Sequence, residues 1–288
     1  MSPSLESGIR STPVVAPLAH FGRTSLALAG GKGANLGDLR RAGFDVPPGF
    51  VITTAAYDLL LRSDNLQAHL NEFLASIKTD DPASIARVSR QILETLEHTP
   101  MSAAVANEII NAYHQLGGAV AVRSSATAED LPEAAFAGQQ ETFLNSIGEQ
   151  ALMDAVRACW ASLWSERALL YRMRQNVEQT SVKLAVVVQQ MVPADVAGVM
   201  FTANPVSGER TELVVDANPG LGEAVVGGLV TPDHFVLDKR RKRVKEQRLG
   251  RREVLVQAKA GGGTEQVRPD PQETPAATLP PEALHRLA

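Results

Sequence analysis

The chain has 288 residues, 44% of them hydrophobic and 21% charged, proportions that exclude a disordered chain, a collagen or a coiled coil. Its 28 basic and 32 acidic residues leave a net charge of −4, so no general attraction to nucleic acid phosphates is implied. The length accommodates one large domain or two ordinary ones. The single cysteine, Cys159, cannot form an internal disulfide and favours a reducing compartment. No apolar run approaches the ~20 residues of a bilayer span. Met1 to Ala19 lacks the basic start and cleavage site of a secretory signal, so the expectation is a cytoplasmic protein with no membrane partner.

Residues 1–18, rich in Ser and Pro, read as a flexible tail, with order beginning near Phe21. Leu26 to Ala29 reads as a short strand leading into Gly30-Gly31-Lys32-Gly33-Ala34-Asn35-Leu36-Gly37. A helical pattern through Leu36, Leu39 and Arg40 then stops at Gly43. Val46-Pro47-Pro48-Gly49 predicts an extended turn into a buried strand, Phe50-Val51-Ile52. Three core helices follow. Leu66, Leu70, Phe73 and Ile77 form the first stripe, with Asp64 as N-cap. Ile85, Val88, Ile92 and Leu96 form the second, after the cap and first-turn proline Asp81-Pro82. Val105, Ile109, Tyr113 and Leu116 form the third, closed by Gly117-Gly118.

The character changes at Ala119. An apolar strand, Ala119 to Arg123, runs into Ser124-Ser125-Ala126-Thr127 and a loop of small and acidic residues as far as Gln140. Ser146 and Glu149 have capping-box spacing and introduce a helix with Leu152, Val156, Cys159, Trp160 and Leu163 on one face. Cys159 reads there as a small core hydrophobe. Val182 to Met191 is a strand covered on both faces. Val199 to Thr202, Glu212 to Asp216 and His234 to Asp238 are further strands. Lys239-Arg240-Arg241-Lys242-Arg243, between Asp238 and Glu246, reads as a solvated hairpin rather than a nucleic-acid patch. From Ala258 the pattern reads as a linker, with another helix starting between Pro280 and Ala288. The six histidines show no metal-ligand spacing, and no residue is assigned to a metal.

Several residues carry candidate chemistry. Gly30-Gly31-Lys32-Gly33 combines backbone N–H groups able to approach an anion, a following helix N-terminus and the charge of Lys32. It is not a Walker A loop, because Leu26 and Gly33 stand where that motif needs Gly and Ser or Thr; a plain turn into a helix is the alternative. Arg123 closes an apolar strand beside the free hydroxyls and N–H groups of Ser124-Ser125-Ala126-Thr127. Its guanidinium suits bidentate binding of phosphate oxygens, and a pairing with Glu129 or Asp130 is the alternative. The loop Ala134 to Gln140 could close over a ligand, Gly138 allowing close backbone approach, or be an ordinary surface connection. Thr142, Gln189 and Gln190 are polar residues inside apolar runs, which usually marks a structural hydrogen bond. Strand alternation puts Gln189 and Gln190 on opposite faces.

Taken together, Gly30 to Gly37, Val46-Pro47-Pro48-Gly49-Phe50 and Ala121-Val122-Arg123-Ser124-Ser125-Ala126-Thr127-Ala128-Glu129-Asp130 resemble the nucleotide-binding domain of the phosphoenolpyruvate synthase and pyruvate phosphate dikinase family. Phe136-Ala137-Gly138-Gln139-Gln140-Glu141-Thr142, Gly198-Val199-Met200-Phe201-Thr202 and Gly220-Leu221-Gly222-Glu223 extend the resemblance over about residues 20 to 258. Rifampicin phosphotransferases share this domain. The resemblance implies an α/β (α+β) fold of the ATP-grasp type over residues 19–258, two subdomains of roughly 19–118 and 119–258 holding ATP between them. Such enzymes convert ATP and water to AMP and phosphate. The β-phosphoryl group passes through a histidine on a separate domain to pyruvate or to the antibiotic hydroxyl. Carried over by motif, Lys32 and Arg123 would be the catalytic, phosphate-holding cations. Gly138 and Thr142 would belong to the loop over the triphosphate, and Gln189 would lie near the adenine or the hinge. Phosphoryl transfer depends mostly on positioning and charge neutralisation, which suits these residue types.

The family's metal-binding Glu and Gln-x-Arg strand motif do not follow Ala258, and its phosphohistidine and acceptor-binding domains are not in the sequence. The expectation is therefore an incomplete ATP-binding portion of an ATP-dependent phosphotransferase, with residues 259–288 a linker and the start of a truncated part. The Mg2+ ligand would lie beyond the chain, and nucleotide binding would be weak without a complete reaction. Two other readings share the fold: the same domain with rifampicin as acceptor, and a nucleotide-binding or interaction module that has lost catalysis.

Overall fold

A computed structural model describes residues 12–78, 81–127, 141–251, 253–269 and 277–288. The chain divides into two units between Met191 and Val192. The first unit carries strands β1 (Val15–Pro17), β2 (Gly49–Ile52), β3 (Val120–Ala126), β4 (Thr142–Ser146) and β5 (Leu184–Gln190). These form one sheet in the order β1-β2-β5-β3-β4, every neighbouring pair antiparallel. Its helices are α1 (Leu26–Arg41), α2 (Thr54–Arg62), α3 (Leu66–Ala75), α4 (Pro82–His98), α5 (Ala103–Leu116), α6 (Glu149–Ser162) and α7 (Glu166–Arg174).

β5 takes the central position because nearly all of it is apolar and both of its faces are covered. Val186 and Val188 join Phe50, Ile52, Val120 and Val122 in the large core under the helices, packed against Ile92, Ile109 and Trp160. Ala185 and Val187 face the other way, with Val51, beneath Ala29 of α1 and the buried Leu18 and Phe21. The helical stripes predicted for α3, α4 and α5 are the buried faces, and the Asp81 carboxylate caps α4 through Ala83 N–H at 3.0 Å.

Several expectations are corrected. Residues 13–18 are held in the fold rather than in a tail: Thr53 N–H donates to Val14 O, Thr53 Oγ1 to Pro13 O, and Leu18 is fully buried. The β-branched Val14-Val15 favours extended backbone, and Pro17 is tolerated because β1 is an edge strand. Residues 1–11 lie outside the described residues. Leu26 to Ala29 is the first turn of α1 rather than a strand, a four-residue apolar run that fits either period. Asp64 does not cap α3. It and Asn65 take left-handed backbone, φ 45° and 55°, in the tight turn out of α2. Ser146 ends β4, and Gly148 at φ 89° precedes α6. Glu149 pairs with His114 at 2.8 Å instead of completing a capping box. The subdomain boundary expected at 118/119 falls inside the first unit, because β3 returns between β5 and β4 of the same sheet.

The core of this unit holds four notable polar or titratable groups. Trp164 Nε1 donates to the Tyr57 hydroxyl at 2.9 Å, and the fully buried Arg172 guanidinium lies 5.4 Å from the Trp164 ring centre. Burial pushes the Tyr57 hydroxyl up and pushes Arg172 down to about 10. Burial likewise raises the Cys159 thiol, Glu141 adding to the effect and Lys32 opposing it. A raised thiol or phenol contributes stability that is complete below its unfolded pKa, about 8.5 for Cys and 10 for Tyr, and lost above it. Arg172 acts in the opposite sense, and only from about pH 10. Cys159 therefore acts alone among these groups between about pH 8.5 and 10. Over that window the first unit is expected to lose about 2 kcal/mol, and a Cys159→Ala chain to show a flat profile. Urea unfolding followed by tryptophan fluorescence checks this, since both tryptophans, Trp160 and Trp164, are buried in the first unit.

The second unit contains β6 (Val196–Phe201), β7 (Glu212–Pro219), α8 (Glu223–Val226), β8 (Asp233–Asp238), β9 (Arg243–Arg248), β10 (Leu255–Ala258), β11 (Thr264–Val267) and α9 (Pro281–Leu287). β6 to β9 form an antiparallel meander. Leu213, Val215, Ala217, Phe235 and Leu237 share one face, covered by Leu284 of α9. The buried Asp233 carboxylate accepts the backbone N–H groups of Gly250 and Thr278, both at 2.7 Å, and so ties the segment before α9 to β8. The basic run is a hairpin tip, as expected, with Asp238 accepting the N–H groups of Arg240 and Arg241. β9 beyond it is exposed throughout, a charged edge that discourages pairing with another strand. The expected linker from Ala258 is corrected: β10 and β11 pair antiparallel, turning through Gly262 and Gly263 at φ 103° and 73°.

Candidate functional site

The glycine-rich segment is helical on both sides of a break. Gly30 has φ 64° and ψ 177°, non-helical values inside α1, so a new helical segment effectively starts at Gly31. Only glycine takes this backbone readily. A Cβ at Gly30 would overlap the carbonyl of Ser125, so the break is pressed directly onto β3. Ser125 is fully buried. Its Oγ donates to Ala29 O at 2.7 Å and accepts Gly33 N–H at 3.1 Å, capping the restarted helix from another strand. Lys32, half-buried, stands inside the span that these two bonds hold.

Residues two apart on a strand share a face, so Arg123, half-buried, lies on the side of β3 against which α1 packs. Directly opposite it on β4 is Thr142, exposed, and on β5 is Val187. Opposed partners have Cβ atoms about 4.5–5.5 Å apart. Gln189 is opposite Ala121 and therefore on the same face. It is 7% exposed and its Nε2 donates to Pro47 O at 3.1 Å, while Gln190 is exposed. The structure thus brings Lys32, Arg123, Thr142 and Gln189 to one side of one sheet. Gly138 and the alternative Arg123 partners, Glu129 and Asp130, lie outside the described residues.

Two features were not drawn from the sequence. The hydroxyls of Ser124 and Ser125, expected to be free beside Arg123, are committed internally. Ser124 Oγ donates to Glu141 O at 3.3 Å, and Ser125 holds the α1 break. The signal available was a polar pair at the end of a buried strand, with Ser125 in phase with Arg123. A cavity of ≈ 460 Å³ lies elsewhere, bordered by Ala16, Leu18, Arg40, Glu108 and Gln115, and contains none of the four residues. Among the described residues no group of three or more His, Cys, Asp or Glu side chains could hold a metal, and no helix is long and apolar enough to cross a membrane.

A mixed α/β domain with antiparallel sheets thus carries one cation just past a glycine break and a second on the strand beside it, with a threonine opposite the second. Residues 26–288 match the pyruvate phosphate dikinase AMP/ATP-binding domain, and the chain belongs to that family. It is 44% identical over 255 residues to a probable phosphoenolpyruvate synthase of Methanothermobacter thermautotrophicus, an alignment covering 86% of this chain and 37% of that protein. It is 38% identical over 290 residues to the phosphoenolpyruvate synthase of Pyrococcus furiosus, covering 86% and 36%. A rifampicin phosphotransferase of Streptomyces sviceus is 44% identical over 270 residues, covering 92% and 31%. The chain thus spans about a third of the length of these relatives.

Proposed function

We propose that this chain is the ATP-binding portion of a dikinase-type phosphotransferase of the phosphoenolpyruvate synthase kind. The complete reaction would convert ATP, pyruvate and water to AMP, phosphoenolpyruvate and phosphate. The observation that carries the reading is the placement of Lys32 and Arg123 on one side of the sheet, Lys32 just past a glycine break with no room for a side chain and Arg123 on β3 beside it. Such a surface fits a polyphosphate: two fixed positive charges and the N-terminus of a restarted helix face charge that grows during transfer. Arg123 would bind phosphate oxygens through its planar fork, and Lys32 would act as a point charge. Thr142, opposite Arg123 at the start of β4, would add a hydroxyl, and Gly138 would belong to the loop over the triphosphate. Gln189, two residues before the division at Met191, would lie near the adenine or the hinge of an ATP-grasp arrangement. Mg2+ would arrive with the nucleotide and offset part of its charge. The phosphohistidine and acceptor-binding parts belong to the longer protein.

Calorimetric titration with magnesium-ATP tests this reading. The folded Arg123→Ala chain is expected to bind about 30- to 150-fold more weakly than the parent, the loss of charge-assisted hydrogen bonds worth about 2–3 kcal/mol. Binding unchanged by the substitution would place the phosphates elsewhere. No binding by the folded parent would favour a module without nucleotide chemistry. A second acceptor, rifampicin, is supported by the 44% identity to the rifampicin phosphotransferase, equal to that of the methanogen phosphoenolpyruvate synthase. AMP release by the longer protein, driven by pyruvate in one assay and rifampicin in the other, separates the two.

A further inference from the structure

We propose that Ser125 is the positioning residue that sets the spacing between Lys32 and Arg123; this rests on the reading that those two cations hold the triphosphate. The α1 break leaves a carbonyl before it and an N–H after it without the ordinary helical partner. A single hydroxyl serves both: Ser125 Oγ donates to Ala29 O at 2.7 Å and accepts Gly33 N–H at 3.1 Å. A serine hydroxyl has one proton and two lone pairs, so it can make both bonds at once. Lys32 lies between the two bonded residues, and Arg123 lies two residues before Ser125 on the same face of β3. The side chain therefore joins the turn that carries one cation to the strand that carries the other.

The hydroxyl is not the break's sole support. Gly30, with no Cβ, can take its left-handed backbone against Ser125 O, and Ala29 is packed with Val51 and Val187. Removing the hydroxyl should loosen the Lys32 turn while leaving the apolar packing of α1 in place. The expected signature is specific to phosphate rather than to the nucleoside.

The test is a double-mutant cycle on the full chain with Ser125→Ala, Lys32→Met and both together, titrated with magnesium-ATP and with adenosine. Amide hydrogen exchange at Gly31 to Gly33 is followed in parallel. Ser125→Ala is expected to weaken magnesium-ATP at least tenfold, leave adenosine within about twofold, and speed exchange at Gly33. Adding Ser125→Ala to Lys32→Met should cost less than threefold more, because the cation being positioned is gone. Additive losses, an equal loss of adenosine, or unchanged exchange at Gly33 would overturn the proposal. If Ser125→Ala does not fold, Ser125→Thr against Ser125→Val makes the same comparison, since that pair differs only in a hydroxyl against a methyl group of similar size. Lys32→Met without effect on magnesium-ATP, or a parent that binds none, would remove the phosphate reading instead. In that case the exchange at Gly33 still decides whether Ser125 holds the turn.

Discussion

Gly30→Ala is expected to destabilise the first unit by about 4 kcal/mol, combining backbone strain of roughly 1–3 kcal/mol with overpacking of similar size. The first part arises because φ 64° with ψ 177° is a region that side-chain-bearing residues scarcely occupy. The second arises because the new Cβ would overlap the Ser125 carbonyl on a buried strand paired to β5, where neither partner can yield cheaply. Urea unfolding monitored by tryptophan fluorescence reads the first unit alone, since Trp160 and Trp164 both lie in it. The contrasting control is Gly43→Ala. Gly43 also has positive φ, at 86°, but nothing lies within 4 Å of its Cβ position, so only the strain should remain. Equal losses at both positions would show that the contact with β3 contributes nothing.

Removing residues 277–288 should destabilise the second unit by about 4 kcal/mol or more. Leu284 is buried on Leu213, Val215, Phe235 and Leu237, and truncating such a leucine costs about 2–5 kcal/mol. The same deletion takes from the buried Asp233 carboxylate one of its two backbone donors, the Thr278 N–H, a charge-assisted bond worth about 1.5–3 kcal/mol. The second unit contains no tryptophan, so hydrogen exchange is the better measurement. Amides of β7 and β8 should exchange about a thousandfold faster, and Leu284→Ala alone should give a smaller shift in the same direction. Unchanged exchange would mean that α9 rests on the sheet without supporting it.

How far the sequence spoke for the fold depended on burial. The stripes of α4 and α5 were legible because buried apolar residues recur at helical spacing on one face of each, and β5 because its buried residues are apolar on both faces up to Val188. The β10–β11 hairpin was not, because it is a small two-stranded ribbon in which Val256 alone is buried and its alternation is too weak to read. The division of the chain was also misplaced. A change in composition at Ala119 marks the passage from helices to strands, yet β3 goes back into a sheet begun at Val15. Composition along the chain carries no information about which strands will meet.

The same distinction holds at the site. Lys32, Arg123, Thr142 and Gln189 were each identifiable by residue type and motif. Period two ties Arg123 to Ala121 and Ser125, but no local rule ties it to Thr142 across β4 or Ala121 to Gln189 across β5. Those pairings are long-range and are settled by the packing of the whole sheet. Ser125 was hidden for a related reason: a serine facing solvent and a serine capping a helix from a distant strand have the same local sequence.

The central strand of the first unit is also the last of the five to be made. β2 and β3 never pair with each other; β5 stands between them, so before it exists the sheet is two separate fragments, β1 with β2 and β3 with β4. During synthesis on the ribosome, the growing chain must then hold its helices and four short strands without a complete sheet until Gln190 has emerged. Long-range closure of this kind slows folding and leaves apolar edges waiting. Nascent chains halted just before Leu184 should remain protease-sensitive, and those extended past Gln190 with enough tether to clear the exit tunnel should become resistant together rather than in stages.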